Sequence, residues 1–143
     1  MQINVFCDSS YDEKNKVAGI GITIQNGFKQ RAISTWIPCK SNNYAEMWAI
    51  YQSAILTAGH DAIIYTDSQS ALAYIDGKIK EKPRSHEQYI LHQQMKVLAY
   101  KINKLHPCIK PVKAHTHRLR NKEIGNAMAD ALARSGRVKF YAR

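Results

Sequence analysis

The first part of the chain alternates apolar and polar side chains with a period of two, which is typical of β-strands. Residues 3–10 form an apolar and β-branched run that meets an acid at Asp8. Residues 17–25 place isoleucines on one face and glycine or threonine on the other, and an Asn-Gly pair follows as a strong hairpin signal. Residues 28–37 predict a third strand, which Pro38 ends. We therefore expect a three-stranded antiparallel meander.

The pattern changes to helical spacing after residue 40. Residues 44–58 predict a helix, because large apolar side chains recur every three or four positions at Trp48, Tyr51 and Ile55. Polar residues that can cap this helix precede it, namely Ser41, Asn42 and Asn43. Residues 62–66 are almost wholly apolar, as in a strand buried on both faces, and this strand ends at Asp67. Residues 68–75 predict a short helix.

The C-terminal half predicts two longer helices around one more strand. Ser85 can cap a helix that runs to Lys104, with one apolar face formed by Leu91, Met95, Leu98, Ile102 and Leu105. Residues 108–114 predict a fifth strand, and Pro111 places it at a sheet edge because proline lacks a backbone donor. Residues 122–135 predict a last helix, whose inward side chains we expect to be Ile124, Met128, Ala131 and Leu132.

The order of these elements, βββ-α-β-α-α-β-α, predicts one α/β domain over residues 1–143. An antiparallel meander joined to parallel strands by helical crossovers gives a five-stranded mixed sheet with helices on both faces. Residues 137–143 read as a basic tail without clear structure. We find no internal repeat and no low-complexity linker.

The formal charge of the chain, +10, is concentrated in one segment. Residues 78–122 contain twelve Lys or Arg and two acids, a net charge that equals that of the whole chain. Such clustering favours a surface that faces a polyanion, although a solvated basic helix with its loops would also account for it.

The cysteines and the hydropathy indicate a reducing compartment and no membrane contact. The three cysteines are an odd number without CxxC spacing, which favours reduced thiols in the cytoplasm. No apolar run reaches the ~20 residues that span a bilayer. The first residues form a strand pattern without a basic leader, so we expect no signal peptide.

Acidic residues stand at the ends of two apolar strands and on two helices. Asp8 and Asp67 follow strand runs, and the carboxyl ends of parallel neighbours meet at one sheet edge. Glu46 lies in the first turn of its helix, and small residues flank Asp130 (AMADALA), which lets a helix approach a sheet closely. Clustered carboxylates repel one another unless cations hold them, and oxygen ligands suit Mg²⁺ or Mn²⁺. A pair of such ions is the standard means of phosphodiester hydrolysis.

Four motifs in order resemble type 1 ribonuclease H over essentially the whole chain: CDSS at 7–10, NNYAE at 42–46, YTDSQ at 65–69, and VKAH at 112–115 followed by GNAMADALA at 125–133. The resemblance implies an RNase H-like fold and metal binding by Asp8, Glu46, Asp67 and Asp130. It implies that His115 assists proton transfer or product release. It also implies nucleic-acid contacts by Ser9, Ser10, Ser41, Asn42, Asn43 and Gln69.

Three departures from the family pattern stand out. Ser9 replaces the usual glycine of DGS, and the loop between His115 and Asp130 is long. The basic handle helix of the family is missing. We expect the loop between the two central helices to bind substrate in its place, through Lys78, Lys80, Lys82 and Arg84.

We therefore expect a monomeric endonuclease that cuts the RNA strand of RNA·DNA hybrids by a two-metal-ion mechanism and leaves 5′-phosphate and 3′-hydroxyl ends. A junction resolvase or transposase-like nuclease of the same fold is one alternative. A non-catalytic nucleic-acid-binding module is another, which the presence of all four acids disfavours. The pair His115 and His117 lacks a third zinc ligand at suitable spacing, and Cys7 is expected to pack in the core.

Overall fold

A computed structural model describes residues 2–79, 82–112 and 121–143 of the chain. Five strands and four helices follow one another in these ranges. They are β1 (Ile3–Asp12), β2 (Val17–Asn26), β3 (Lys29–Pro38), α1 (Asn42–Leu56), β4 (Ala62–Thr66), α2 (Gln69–Ile75), α3 (His86–Lys104), β5 (Cys108–Pro111) and α4 (Asn121–Tyr141). This order is the one that the sequence pattern predicts.

The strands form one mixed sheet in the order β3-β2-β1-β4-β5. β1, β2 and β3 pair antiparallel, which confirms the meander, whereas β1, β4 and β5 run parallel. β5 lies at the sheet edge, as Pro111 predicts. The predicted fold class is therefore confirmed, including its five-stranded mixed sheet.

Helices cover both faces of this sheet. α1 packs on β1 and β2, and α2 and α3 pack beside it, whereas α4 packs on β1, β2 and β3. Val5, Cys7, Ile20 and Ile22 are buried with α1 and α3 in the larger core, and Phe6 packs in a smaller cluster with residues of β4 and α4. Within the described ranges, no helix is long and apolar enough to cross a membrane.

Glycines bring α4 into close contact with the sheet. A Cβ on Gly19 would lie 1.7 Å from the Ala133 carbonyl oxygen, and a Cβ on Gly21 would lie 2.1 Å from that of Ala129. A Cβ on Gly136 would lie 2.0 Å from the Thr35 carbonyl oxygen of β3. Backbone therefore lies against backbone along this contact, where larger side chains have no room.

This contact changes which residues of α4 face the sheet from those predicted. Ile124 is exposed, as is Ala131, whereas Met128 and Leu132 are only partly buried. The buried positions are small or polar, namely Gly125, Asn126, Ala129, Ala133 and Gly136. The prediction from apolar spacing was wrong because the distance between helix and sheet selects small side chains here.

Several predicted boundaries were also wrong. β1 does not end at Asp8, where the sequence pattern predicts its end, but continues to Asp12 because its pairing with β2 extends to Asp12–Val17, beyond the end of its pairing with β4. α4 continues past Gly136 to Tyr141, so most of the predicted tail is helical. β5 ends at Pro111, and residues 113–114 of the predicted strand lie outside the described residues.

α1 begins at Asn42, two residues earlier than predicted, because Ser41 is its N-cap and accepts a hydrogen bond from the Tyr44 amide at 3.1 Å. The side chains of Trp48 and Tyr51 are partly buried, and Ile55 is exposed. The buried face of α1 consists of smaller residues together with one acid, namely Ala45, Glu46, Met47, Ala49, Ile50, Ser53 and Ala54.

Candidate metal centre and nucleic-acid interface

Three carboxylates from three elements meet where the pairing of β1 with β4 ends. Phe6 of β1 pairs with Tyr65 of β4, and Asp8 and Asp67 each lie two residues further along. Parallel neighbours at equal offsets point their side chains to the same side, so these two acids converge. Glu46 joins them from α1, and one oxygen of each acid lies within 4.8 Å of the others.

Burial and nearby negative charge make Asp8 and Glu46 hard to ionise. Asp8 is 5% exposed and Glu46 is 8% exposed. Burial, followed by the charge of Asp67, raises the pKa of Asp8 to about 7. Burial, followed by the charges of Asp8 and Asp67, raises the pKa of Glu46 to about 9. A cation between the carboxylates would remove both causes, since it compensates their charge and replaces water as their ligand.

The hydrogen bonds around the acids leave oxygen atoms free for such a cation. Glu46 Oε2 is buried and has no hydrogen-bond partner among the described residues. Asp8 accepts one hydrogen bond, from the Ser9 amide at 2.9 Å. A buried polar atom without a partner is costly unless a ligand satisfies it. The three acids therefore fit a hard divalent cation with oxygen ligands.

Asp130 approaches this cluster from α4 without joining the group of three. It lies close enough to Asp8 to contribute to the raised pKa of that carboxyl. Its Oδ2 accepts a hydrogen bond from Nη2 of Arg134, one turn further along α4. Asn126 of the same helix donates from Nδ2 to Asp67 Oδ2 at 3.3 Å. α4 thus supplies both an acid and an amide to this edge of the sheet.

Ser9 and Ser10 flank Asp8 with different degrees of burial. Ser9 is buried, and its hydroxyl oxygen has no hydrogen-bond partner in the part of the chain that the structure describes. Ser10 is half-buried. Ser9 also faces the α1 side of β1, where Cys7 is buried in the core as predicted. Burial raises the pKa of the Cys7 thiol, which leaves it a packing residue rather than a nucleophile.

The predicted nucleic-acid residues of α1 and α2 are accessible beside the acids. Asn42 and Asn43 are exposed at the start of α1, four and three residues before Glu46. Gln69 is exposed at the start of α2, two residues after Asp67. Each of these side chains therefore lies within one helical turn of an acid of the cluster along the chain.

An open cleft of about 580 Å³ continues from the start of α1 toward the basic loop. Ser41 and Asn43 line one end, and Lys82 and Arg84 line the loop side. Lys78 is exposed nearby in sequence, and Lys80 lies outside the described residues. Within the described ranges the lining includes no acidic side chain, which suits an anionic ligand.

Sequence reasoning missed two features of this region. Tyr74 of α2 and His92 of α3 line the same cleft, and their Oη and Nδ1 atoms are 2.9 Å apart. No local pattern links residues 18 positions apart. The ion pair between Arg134 and Asp130, in contrast, has a sequence signal, since residues four apart are neighbours on a helix.

Two predicted histidines cannot be located in this arrangement. His115 and His117 lie outside the described residues, as do Arg118 and Arg120 of the same loop. The side chain of Glu123 is also outside them. The role implied for His115 by the family resemblance therefore stays a prediction.

Comparison with known proteins agrees with this arrangement. The family model of RNase H matches residues 1–138. The chain is similar to RNase H1 of the halophilic archaeon Halobacterium salinarum NRC-1, at 18% identity and a TM-score of 0.71 over 97% of this chain and 99% of that one. No curated protein matches it.

Two structures of one further enzyme, LC11-RNase H1 isolated from compost by a metagenomic approach, share the fold. The first has 21% identity and a TM-score of 0.68 over 98% of each chain. The second, in complex with an RNA/DNA hybrid, has 19% identity and a TM-score of 0.60 over 97% of this chain and 99% of that one. At such identities the similar structures establish the fold alone. The family match, which covers residues 1–138, establishes the family. The chain belongs to the RNase H family of enzymes.

Proposed function

We propose that the protein is an endonuclease that hydrolyses the RNA strand of RNA·DNA hybrids. The observation that carries this proposal is the convergence of Asp8, Glu46 and Asp67 within 4.8 Å, in a chain whose family match spans residues 1–138. Their oxygen atoms form a site for hard cations beside a cleft with a basic rim. A metal-dependent phosphodiesterase needs both of these features.

The cations proposed for this site are two Mg²⁺ ions, for which Mn²⁺ can substitute. Asp8 would be shared between them, Glu46 and Asp67 would hold one, and Asp130 would hold the other. Two such ions would supply an activated water and compensate charge at the leaving oxygen. In-line attack on phosphorus with departure of the 3′-oxygen leaves 5′-phosphate and 3′-hydroxyl ends.

The residues at the start of α1 are suited to hold the substrate. The Ser41 hydroxyl accepts the hydrogen bond that caps α1, so its own O–H can still donate to a phosphate oxygen. The exposed amides of Asn42, Asn43 and Gln69 can donate to and accept from base edges and 2′-hydroxyls in the wide minor groove of a hybrid. Ser9 and Ser10 remain proposed contacts, although Ser9 is buried and its amide already donates to Asp8.

The basic loop is proposed to take the place of the family's handle helix. Lys82 and Arg84 line the cleft that begins at Ser41, and Lys78 and Lys80 belong to the same loop. Positive side chains along this path would neutralise backbone phosphates of the bound hybrid. His115 is proposed to assist proton transfer or product release, as the family resemblance implies.

Parallel cleavage assays test the proposal. Labelled RNA·DNA hybrid, double-stranded RNA, double-stranded DNA and a four-way junction are incubated with the full chain and Mg²⁺ or Mn²⁺, and the ends of the products are identified. We expect cleavage of the RNA strand of the hybrid only, and no cleavage by Asp8→Asn. Preferred cleavage of the junction would favour a resolvase, and an inactive but hybrid-binding wild-type protein would favour a binding module.

A further inference from the structure

Arg134 is a basic side chain set directly beside the proposed ion site. It lies one turn after Asp130 on α4, and its guanidinium donates to Asp130 Oδ2. The Arg134 side chain is 62% exposed and that of Asp130 is 25% exposed. Within the described ranges, Asp130 is the one acid among the four that forms an ion pair with a basic residue.

This ion pair gives Asp130 a basic partner that the other three acids lack in the described structure. The oxygens of Asp8, Glu46 and Asp67 lie together, and Asp130 is outside that group although it neighbours Asp8. Asp130 therefore neighbours Asp8 while its Oδ2 is occupied by the guanidinium. A divalent ion shared by Asp8 and Asp130 has to compete with Arg134 for the same carboxylate, in addition to approaching its positive charge.

We propose that Arg134 is a positioning residue that holds Asp130 while the metal site is empty and weakens the affinity for the cation between Asp8 and Asp130. The ion held by Asp8, Glu46 and Asp67 is affected less, since Arg134 is hydrogen-bonded and ion-paired to Asp130 and interacts with Asp8 through charge attraction alone. The two ions would then bind with unequal affinity. This inference rests on the proposed function, because it assumes a metal site at these acids.

A plain surface ion pair is the competing explanation for the contact. Residues four apart on a helix form such pairs readily, and an exposed pair adds little to helix stability. In that case, loss of Arg134 would slightly lower the stability of α4 and leave metal affinity unchanged. Binding of metal, measured without substrate, separates the two explanations.

The experiment is a titration of the full chain with Mn²⁺, in which electron paramagnetic resonance counts the free ions. Wild type is compared with Arg134→Gln, Arg134→Lys and Arg143→Gln, which removes one charge from the far end of the chain. Circular dichroism verifies that each variant folds, and Asp8→Asn identifies binding at the acid cluster. We expect two classes of site in the wild type, one tighter than the other.

Arg134→Gln should tighten the weaker class by about tenfold, the effect of removing one positive charge about 7 Å from a divalent ion in a largely aqueous setting. The tighter class should change by less than about threefold. Arg134→Lys should stay close to wild type because it keeps the charge, and Arg143→Gln should match wild type.

Two results would overturn the inference and leave the proposed function intact. The first is an unchanged weaker class in Arg134→Gln. The second is equal tightening in Arg134→Gln and Arg143→Gln, which would trace the effect to net charge alone. If Mn²⁺ does not bind the wild type, or binds equally well to Asp8→Asn, then the metal site itself is wrong and the proposed function fails with the inference.

Discussion

Asp8 and Glu46 occupy positions that are unfavourable for an ionised carboxylate. Both are buried, the charge of Asp67 raises the pKa of each, and the charge of Asp8 also raises the pKa of Glu46. Burial of like charges destabilises a fold unless a ligand compensates it. Without cations, these residues therefore lower the stability of the protein, and in the proposed metal-bound state they would serve as ligands. The loss of stability that these buried acids cause is therefore an indication of ligand binding at this position.

Asp8→Asn should raise stability while it abolishes cleavage. The asparagine keeps an oxygen that can accept the hydrogen bond from the Ser9 amide, and it removes a buried charge next to Glu46 and Asp67. We expect the free energy of unfolding in urea, at pH 8 with a chelator, to increase by roughly 1–3 kcal/mol. Mg²⁺-dependent cleavage of hybrid should fall below detection. A destabilised variant would contradict this account of the cluster.

The stability of the metal-free protein should also depend on pH in a particular direction. The folded-state pKa values of Asp8, about 7, and Glu46, about 9, lie above the ordinary values of 3.8 and 4.5. Between pH values of about 4 and 9, the folded protein therefore binds more protons than the unfolded chain. The free energy of unfolding falls as the pH rises through this range. Urea unfolding over this range measures the slope.

Addition of Mg²⁺ should flatten this slope, because bound cations favour the ionised carboxylates. The double variant Asp8→Asn, Glu46→Gln should show a similarly flat profile without metal. A wild-type profile that is flat in the presence of a chelator would contradict the raised pKa values.

At the scale of secondary-structure elements, the contact between α4 and the sheet determines where Asp130 lies. Glycines of β2 meet carbonyl groups of α4 directly, so the helix axis is held close to β1 and β2. Asp130 lies between the two contact points, Ala129 and Ala133. The same contact that closes the smaller core therefore brings the fourth acid to the neighbourhood of Asp8.

Gly21→Ala tests this contact. The added Cβ would lie 2.1 Å from the Ala129 carbonyl oxygen, so α4 must move away from the sheet. We expect a loss of about 2–3 kcal/mol in the free energy of unfolding, as for overpacked cores. Ala32→Val is the control, because it adds more atoms at an exposed position of β3 and should change stability by less than about 0.5 kcal/mol. Equal stabilities of the two variants would show that the sheet accommodates a side chain at Gly21.

The C-terminal turns of α4 are anchored by side chains that the helical pattern alone does not reveal. Phe140 packs edge-to-face on Trp36 of β3 with ring centroids 5.0 Å apart. The Tyr141 hydroxyl donates to Asp12, and this hydrogen bond, followed by one from Asn15, lowers the pKa of Asp12 to about 2. These contacts favour continuation of the helix beyond Gly136, although glycine disfavours helix by about 1 kcal/mol.

At the scale of the whole molecule, opposite charges are arranged side by side. The acids gather where the pairing of β1 with β4 ends, and the cleft from Ser41 to Arg84 is free of acids within the described ranges. A polyanion is therefore attracted along the cleft and can reach the acids only where cations compensate them. Such an arrangement couples substrate binding to metal binding through charge alone.

Replacement of Lys78, Lys80, Lys82 and Arg84 by alanine should weaken substrate binding without affecting the chemical step. We expect KM for hybrid to rise about tenfold, with kcat little changed, and the slope of log KM against log salt to fall by about 2 as phosphate contacts are lost. Steady-state kinetics at several salt concentrations measures both. The control removes four exposed charges elsewhere, namely Lys14, Lys29, Arg31 and Arg143. Equal effects in the two variants would point to net charge rather than to this loop.

Short-range patterns were sufficient to predict the elements, their order and the sheet edge. The structure confirms the predictions that rest on local geometry. These are the strands, the Asn-Gly turn, the helix caps at Ser41 and Ser85 and the edge position of the strand that contains Pro111. Asp8 and Asp67 were identified in the same way, from their places after apolar strand residues, whereas metal binding by all four acids was implied by the family resemblance. Convergence of Asp8 and Asp67 followed from the parallel pairing of two apolar strands.

Long-range packing decided the remaining features. Apolar spacing predicted Ile124 and Met128 on the inner face of α4, but the close approach of the helix to Gly19 and Gly21 left room only for glycine, alanine and Asn126 there. The Tyr74–His92 pair and the anchoring of Phe140 on Trp36 join residues far apart in sequence. Such contacts depend on the distances between elements. The periodicity of a sequence indicates only which side of an element is buried on average, so it does not predict those distances.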